Sequence, residues 1–217
     1  MKKSIILITA TILLSFAASI SAKSQNSYPT QFGIKGGVNF SNLYTNDSEK
    51  GKTLTGFNVG IFSKLPFSGF FAFQPELLFT TKGAEVTYDN TFVNGIARFR
   101  LNYIEMPLLF VVNITDNFSI HAGPYAAYLV SGDVKNESSV DQFNFEDNIN
   151  VDDYNRFDAG VAAGASLDFR SVSFGARFTY GLTKVGKEKT YLGTTYTFPD
   201  ANNGALSFYA SVPLRKN

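Results

Sequence analysis

Beyond residue 30 the chain is organised by a period of two. Between Gln31 and Phe40, Phe32, Ile34, Gly36, Val38 and Phe40 share one face, and Gly33, Lys35, Gly37 and Asn39 share the other. Between Arg156 and Phe169 the split is cleaner: Phe157, Ala159, Val161, Ala163, Ala165, Leu167 and Phe169 oppose Asp158, Gly160, Ala162, Gly164, Ser166 and Asp168. Successive side chains of a strand point to opposite faces, so each such stretch predicts a strand with one apolar face and one polar or tiny face. Eight stretches qualify: Gln31 to Phe40, Thr55 to Lys64, Phe70 to Lys82, Arg98 to Val112, Phe118 to Val130, Arg156 to Phe169, Ser173 to Thr183 and Gly204 to Leu214. In the fourth, Arg98, Arg100 and Asn102 fall in phase with Ile104, Met106 and Leu108, which calls for a bulge near Asn102.

The connections alternate in length. Those after the second, fourth and sixth strands are short (Leu65 to Gly69, Asn113 to Asn117, Arg170 to Val172), whereas those after the others are long and polar, such as Asp133 to Asp153 and Lys184 to Asn203. This sorting places every tight turn and both chain ends on one side, as in outer-membrane barrels. The fold class predicted is all-β: an eight-stranded antiparallel up-and-down transmembrane β-barrel with long extracellular loops and short periplasmic turns. Volume decides which face looks outward. The apolar face is rich in Phe, too bulky to fill so small a barrel, and the opposite face of Gly, Ala, Ser, Thr and Asn suits a narrow lumen. Tyr44, Tyr88, Tyr103, Tyr128, Tyr180 and Tyr209 near strand ends are candidates for interfacial girdles.

Composition narrows the chemistry. Of 217 residues 22 are Phe, 11 Tyr and 18 Gly, an alphabet that fits pleated surfaces. Nineteen Lys+Arg against 18 Asp+Glu leave a net charge of +1, which argues against nucleic acid as a partner. The absence of Cys excludes thiol catalysis, disulfides and thiolate metal sites, and a single His makes a zinc site improbable. The chain has no Walker loop, dinucleotide fingerprint or metal-ligand spacing, so no cofactor is expected. Residues 1–22, with Lys2 and Lys3 ahead of an apolar run and small residues at its end, have the layout of a signal peptide cleaved within about 21–24. A short linker, 23–30, then leads into the barrel domain, 31–214.

By parity Lys35, Lys64, Lys82 and Arg177 point into the lumen with Glu76, Glu105, Asp158 and Asp168. An enclosed carboxylate is costly unless paired, so a structural charge cluster of Glu76, Glu105 and Arg177, with Lys35 as fourth member, is predicted at mid-depth. Its role is a polar plug, the alternative being a gate or proton path. His121 also faces inward, but Ser119 stands about 7 Å along the strand, too far for a nucleophile and base in contact. No catalytic residue is assigned. The segment Asp133 to Asp153 is acidic, lacks the turn glycine of an EF-hand and reads as a solvated loop.

The stretches Phe32-Gly33-Ile34-Lys35-Gly36-Gly37-Val38-Asn39-Phe40-Ser41, Gln74-Pro75-Glu76-Leu77-Leu78-Phe79, Tyr103-Ile104-Glu105-Met106-Pro107-Leu108-Leu109, Ala122-Gly123-Pro124-Tyr125 and Gly175-Ala176-Arg177-Phe178-Thr179-Tyr180-Gly181-Leu182 together resemble the PorT-like outer-membrane β-barrel family. The resemblance spans nearly the whole mature chain and implies an eight-stranded outer-membrane barrel whose signal peptide is removed. The function expected is a non-enzymatic integral outer-membrane protein with a structural or surface-interaction role through its outer loops. Alternatives are a narrow small-solute channel, an enzyme acting on membrane lipid or protein, and a secreted soluble barrel binding an apolar ligand. Expected partners are outer-membrane lipid, lipopolysaccharide and unidentified proteins, with the chain itself a monomer.

Overall fold

The structure is a computed structural model and describes residues 29–45, 52–89, 94–138, 144–191, 194–198 and 201–214. The signal segment 1–22 and residues 23–28 of the linker lie outside the described residues. The strands are β1 (Gln31–Thr45), β2 (Leu54–Pro66), β3 (Phe71–Asp89), β4 (Asn94–Thr115), β5 (Phe118–Ser138), β6 (Phe145–Asn148), β7 (Phe157–Asp168), β8 (Ser173–Lys184), β9 (Lys187–Tyr191), β10 (Thr194–Phe198) and β11 (Ala201–Leu214). A 3-10 turn, Val151–Asp153, precedes β7.

Eight of these strands, β1, β2, β3, β4, β5, β7, β8 and β11, pair antiparallel with their successors, and β11 returns to β1 to close the ring. Closure gives every backbone donor and acceptor at membrane depth a partner on a neighbouring strand, which is the condition for strands to cross hydrocarbon. β6 adds a ninth strand to this sheet by pairing with the far end of β5, and β9 and β10 form a separate hairpin.

Phenylalanine rings of the alternating face point away from the barrel: Phe157 is 73 % exposed and Phe110 60 %, and Phe32, Phe57, Phe71, Phe174 and Phe208 share that side. Turned away from the filled lumen, they form the band that meets lipid. Phe62 is an inward exception; a Cβ at Gly33 would lie 2.3 Å from its ring, so glycine there makes room for it. Tyr44, Tyr128 and Tyr180 stand on the outer rim of the band, where Tyr44 faces Tyr180 and Tyr128 meets Phe157 edge-on. Tyr103 and Tyr209 correct the girdle expectation: both are buried in the lumen, on the polar face of their strands. The side chain of Tyr88 lies outside the described residues.

The strands also run further than hydrophobic alternation indicates. β3 and β4 stay paired to Asp89 and Asn94, and β5 continues to Ser138, so the first part of the acidic segment is strand and not loop. β6 then folds back along β5, pairing Asp133 with Asn148 and Asn136 with Phe145. Asp141 lies outside the described residues. The result is a wall of β3, β4, β5 and β6 standing above the outer mouth on one side. The bulge expected in β4 near Asn102 is absent there and lies on the partner strand: Asn102 pairs with Ser131 and Tyr103 with Leu129, leaving Val130 as the extra residue of β5, so β4 keeps its phase and Arg98, Arg100 and Asn102 stay on the outward side with Ile104 and Met106.

Candidate functional site: a layered lumen and an outer wall

The interior is stacked in layers from the short-turn end outward. The first is a vestibule of about 780 Å³ open at that end. Its hydroxyls and amides come from strand starts and turns; Ser119 Oγ lies 2.8 Å from Ser166 Oγ and donates to Asp168 at 3.0 Å, while Lys64 donates to Asn113 at 3.2 Å. His121 lines the same space, yet its Nε2 accepts from Arg177 Nε at 3.3 Å. Serine and histidine thus each have other partners, and the arrangement is not that of a nucleophile with its base.

Above the vestibule the lumen is crossed by an ion cluster. Glu76 on β3 receives both terminal nitrogens of Arg177 on β8, at 2.8 Å each, in a bidentate pair. Lys35 on β1 reaches the same carboxylate at 3.1 and 3.2 Å, and Gln74 donates to it at 2.8 Å. The side chains of Lys35, Glu76 and Arg177 are 2 %, 0 % and 3 % exposed. Tyr209 closes the cluster from below: the Lys35 ammonium sits 3.4 Å from its ring centroid and the Arg177 guanidinium 5.4 Å. A Cβ at Gly175 would fall 2.4 Å from that ring, so the tyrosine lies flat over a glycine of the neighbouring strand.

Glu105, the fourth residue predicted for the cluster, is placed elsewhere. It pairs with Lys82 at 2.5 Å, one layer further out, where Lys82 also lies 4.4 Å from the Tyr125 ring centroid. Register explains the separation: Glu105 is opposite Leu78, one inward position beyond Glu76 on β3. Parity identifies the face of a side chain and leaves its height on a tilted strand open. A cavity of about 10 Å³, room for one water molecule, separates the two ion groups and is lined by Lys35, Lys82, Glu105 and Arg177 among others. Lys82 and Tyr209 are the site residues that the sequence reading left out of the cluster. Tyr209 had a signal, since it alternates against outward Leu206, Phe208 and Val212.

Two hydrogen-bonded networks follow. Asn39 joins Thr80, Asn58 and Ser207 through bonds of 2.6 to 2.8 Å. Asp158 is held by the hydroxyls of Tyr125 (3.1 Å) and Thr183 (2.7 Å) and by Asn203 (3.1 Å), in place of a cation. An apolar cluster of Leu101, Leu129 and Val185, with Leu43, Ile149, Val151 and Tyr154 against it, lies at the outer end.

The wall is charged on the side that faces away from the barrel axis. Thr81, Asn102 and Ser131 form a hydrogen-bonded row just beyond the lipid-facing Ile104 and Val130. Arg100 and Asp133 come next at 3.6 Å, then Arg98 between Glu85 (3.0 Å) and Glu137 (2.7 Å), with Lys135 on Glu137 at 2.9 Å. The hydrogen bonds from Arg98 and Lys135 lower the Glu137 carboxyl from its usual 4.5 to about 2. Among the described residues no group of three or more His, Asp or Glu is placed to hold a metal ion.

Residues 22–186 match the sequence profile of a family described as outer membrane protein beta-barrel domain. Among solved structures, the chain is similar to Ail, the attachment invasion locus protein of Yersinia pestis, crystallised with the heparin analogue sucrose octasulfate. The identity is 15 %, over 86 % of this chain and 100 % of that one, with a TM-score of 0.48. It is also similar to Neisserial surface protein A, at 15 % identity over 85 % of this chain and 99 % of that one (TM-score 0.46). The outer membrane enzyme PagL is more distant, at 10 % identity over 86 % and 100 % of the two chains (TM-score 0.33). No curated protein matches the chain. With its profile covering residues 22–186, the chain belongs to the outer membrane protein beta-barrel domain family and is a protein of the outer membrane.

Proposed function

We propose that this protein is a closed, non-enzymatic outer-membrane barrel, monomeric in the membrane, whose working surface is the strand wall above its outer mouth. Within its family we place it in the PorT-like group, on the motifs around Lys35, Glu76, Glu105 and Arg177, with residues 1–22 removed on export. The observation that carries the reading is Glu76, bridged at once from β1 and β8 with all three side chains 3 % exposed or less. Transport needs that space, and an eight-stranded barrel filled by side chains has no aqueous path. What the fold leaves available is the wall: β6 is exposed along its whole length, and the outer faces of β4 and β5 carry charge above the lipid band. The test is conductance of the folded chain in planar bilayers. The expected result is no stable channel in 1 M salt; steady unitary currents would make it a channel and sink the proposal.

A further inference from the structure

The outward charges of the wall have a defined height. Along β4, Arg100 is two inter-strand rows beyond Ile104, and Arg98 three. With a rise of roughly 3.4 Å per residue and a tilt near 40°, these stand about 10 and 15 Å above the last lipid-facing side chain. A phospholipid headgroup layer is only about 5–8 Å deep. In a phospholipid leaflet the upper charges would project into water, whereas the sugar and phosphate layer of lipopolysaccharide surrounds a barrel at that height.

The chemistry matches. Arg98 is occupied by two carboxylates, but among the described residues the one ion pair of Arg100 is with Asp133, at 3.6 Å, beyond hydrogen-bond length. Asp133 Oδ2 is likewise buried and without a hydrogen-bond partner among the described residues. The Arg100 side chain is 38 % exposed, and its planar fork of N–H donors fits a phosphate bidentately. Below it, Asn102 and Ser131 offer amide and hydroxyl groups to sugars, with the buried Thr81 holding Asn102 in place. We infer that the outward face of β4 and β5 binds the phosphorylated sugar region of outer-leaflet lipopolysaccharide, with the Arg100 guanidinium as phosphate ligand. This rests on the wall being the working surface; whether the lumen conducts is decided separately in planar bilayers, where Arg100→Gln has no effect.

The test uses the full chain folded in detergent, with heat-modifiable gel mobility as the folding control and native mass spectrometry to measure retention of purified lipopolysaccharide. Arg100→Gln is expected to weaken retention roughly fivefold. Arg100→Lys, which keeps the charge and loses the fork, falls between. Asp133→Asn removes the competing carboxylate and strengthens retention. Dephosphorylated lipopolysaccharide binds the wild type no better than Arg100→Gln binds the intact lipid, and phosphatidylglycerol is held equally by both. Equal retention of intact lipopolysaccharide by folded wild type and Arg100→Gln would overturn the assignment. So would phosphatidylglycerol binding with the same dependence on Arg100, which would make the site one for phospholipid.

Discussion

Glu76 concentrates the energetics of the lumen at a single residue. Its carboxylate accepts from Lys35, Arg177 and Gln74 where solvent does not reach, so each charge is tolerable only because the others are present. Glu76→Gln keeps the shape and leaves two cations facing each other over one amide. The expected cost is about 3–5 kcal/mol, the range for breaking a buried pair from one side, read as a lower urea midpoint for unfolding from liposomes. Lys64→Gln removes a partner that is 3.9 Å from Asp168 on the half-open wall of the vestibule, and is expected to cost less than about 1 kcal/mol. Equal losses for the two variants would mean that the central cluster is hydrated and that its apparent enclosure has no energetic weight. The same residue shows how far sequence reaches: parity on β1, β3 and β8 turns Lys35, Glu76 and Arg177 inward, and the unaffordability of a lone enclosed carboxylate brings them together.

At the scale of elements, strands were legible wherever one face meets lipid, because there apolar and polar residues must alternate. Above the band the outward face of β4 and β5 turns polar while Leu101 stays buried inside, so the alternation continues with its phase inverted, Arg98, Arg100, Asp133 and Lys135 standing where lipid-facing residues stood; an acidic stretch such as Asp133 to Ser138 then reads as loop and folds as strand. Glu105 shows a second limit, since its choice of Lys82 depends on the relative heights of two strands. The Val130 bulge links these two regimes. Up to Leu129 the odd-numbered residues of β5 face inward, and beyond the bulge Gly132 and Asn136 do, so Asp133, Lys135 and Glu137 turn outward to Arg98 and Arg100. Deleting Val130 restores regular pairing with the same residues outward, whereas deleting Gly132 as well takes out a second residue and reverses that phase. The Glu137 carboxyl reports the difference in a carbon-13 titration. Held at about 2, it stabilises the wall above its ordinary value of 4.5 and loses that contribution as the pH falls toward 2. After deletion of Val130 alone the low value is expected to persist, and after deletion of both residues to return to the ordinary one. If the double deletion also leaves it low, the phase of β5 does not set the face of the wall.

For the whole molecule the question is whether the layers make one continuous seal. The vestibule admits water as far as Tyr209 and His121; beyond it lie the Glu76 cluster, the Asn39 and Asp158 networks and the apolar contacts of Leu101, Leu129 and Val185. Each layer is held by side chains from several strands of a closed ring, so no one strand can move aside and open it. The chain contains no Cys, which makes every introduced thiol a clean reporter of both access and orientation. Ser173→Cys lies in the vestibule, Ala205→Cys beyond the ion cluster where the native side chain is 2 % exposed, and Glu146→Cys on β6 of the wall. With a membrane-impermeant maleimide, Ser173→Cys is expected to react only from the periplasmic side and Glu146→Cys only from outside intact cells, because short turns face the periplasm. Ala205→Cys is expected to react from neither side, and to become reactive in urea. Labelling of Ala205→Cys from the periplasmic side at the rate of Ser173→Cys would reveal an aqueous path through the ion cluster, and Glu76 would then be the gate of a pore and not part of its seal.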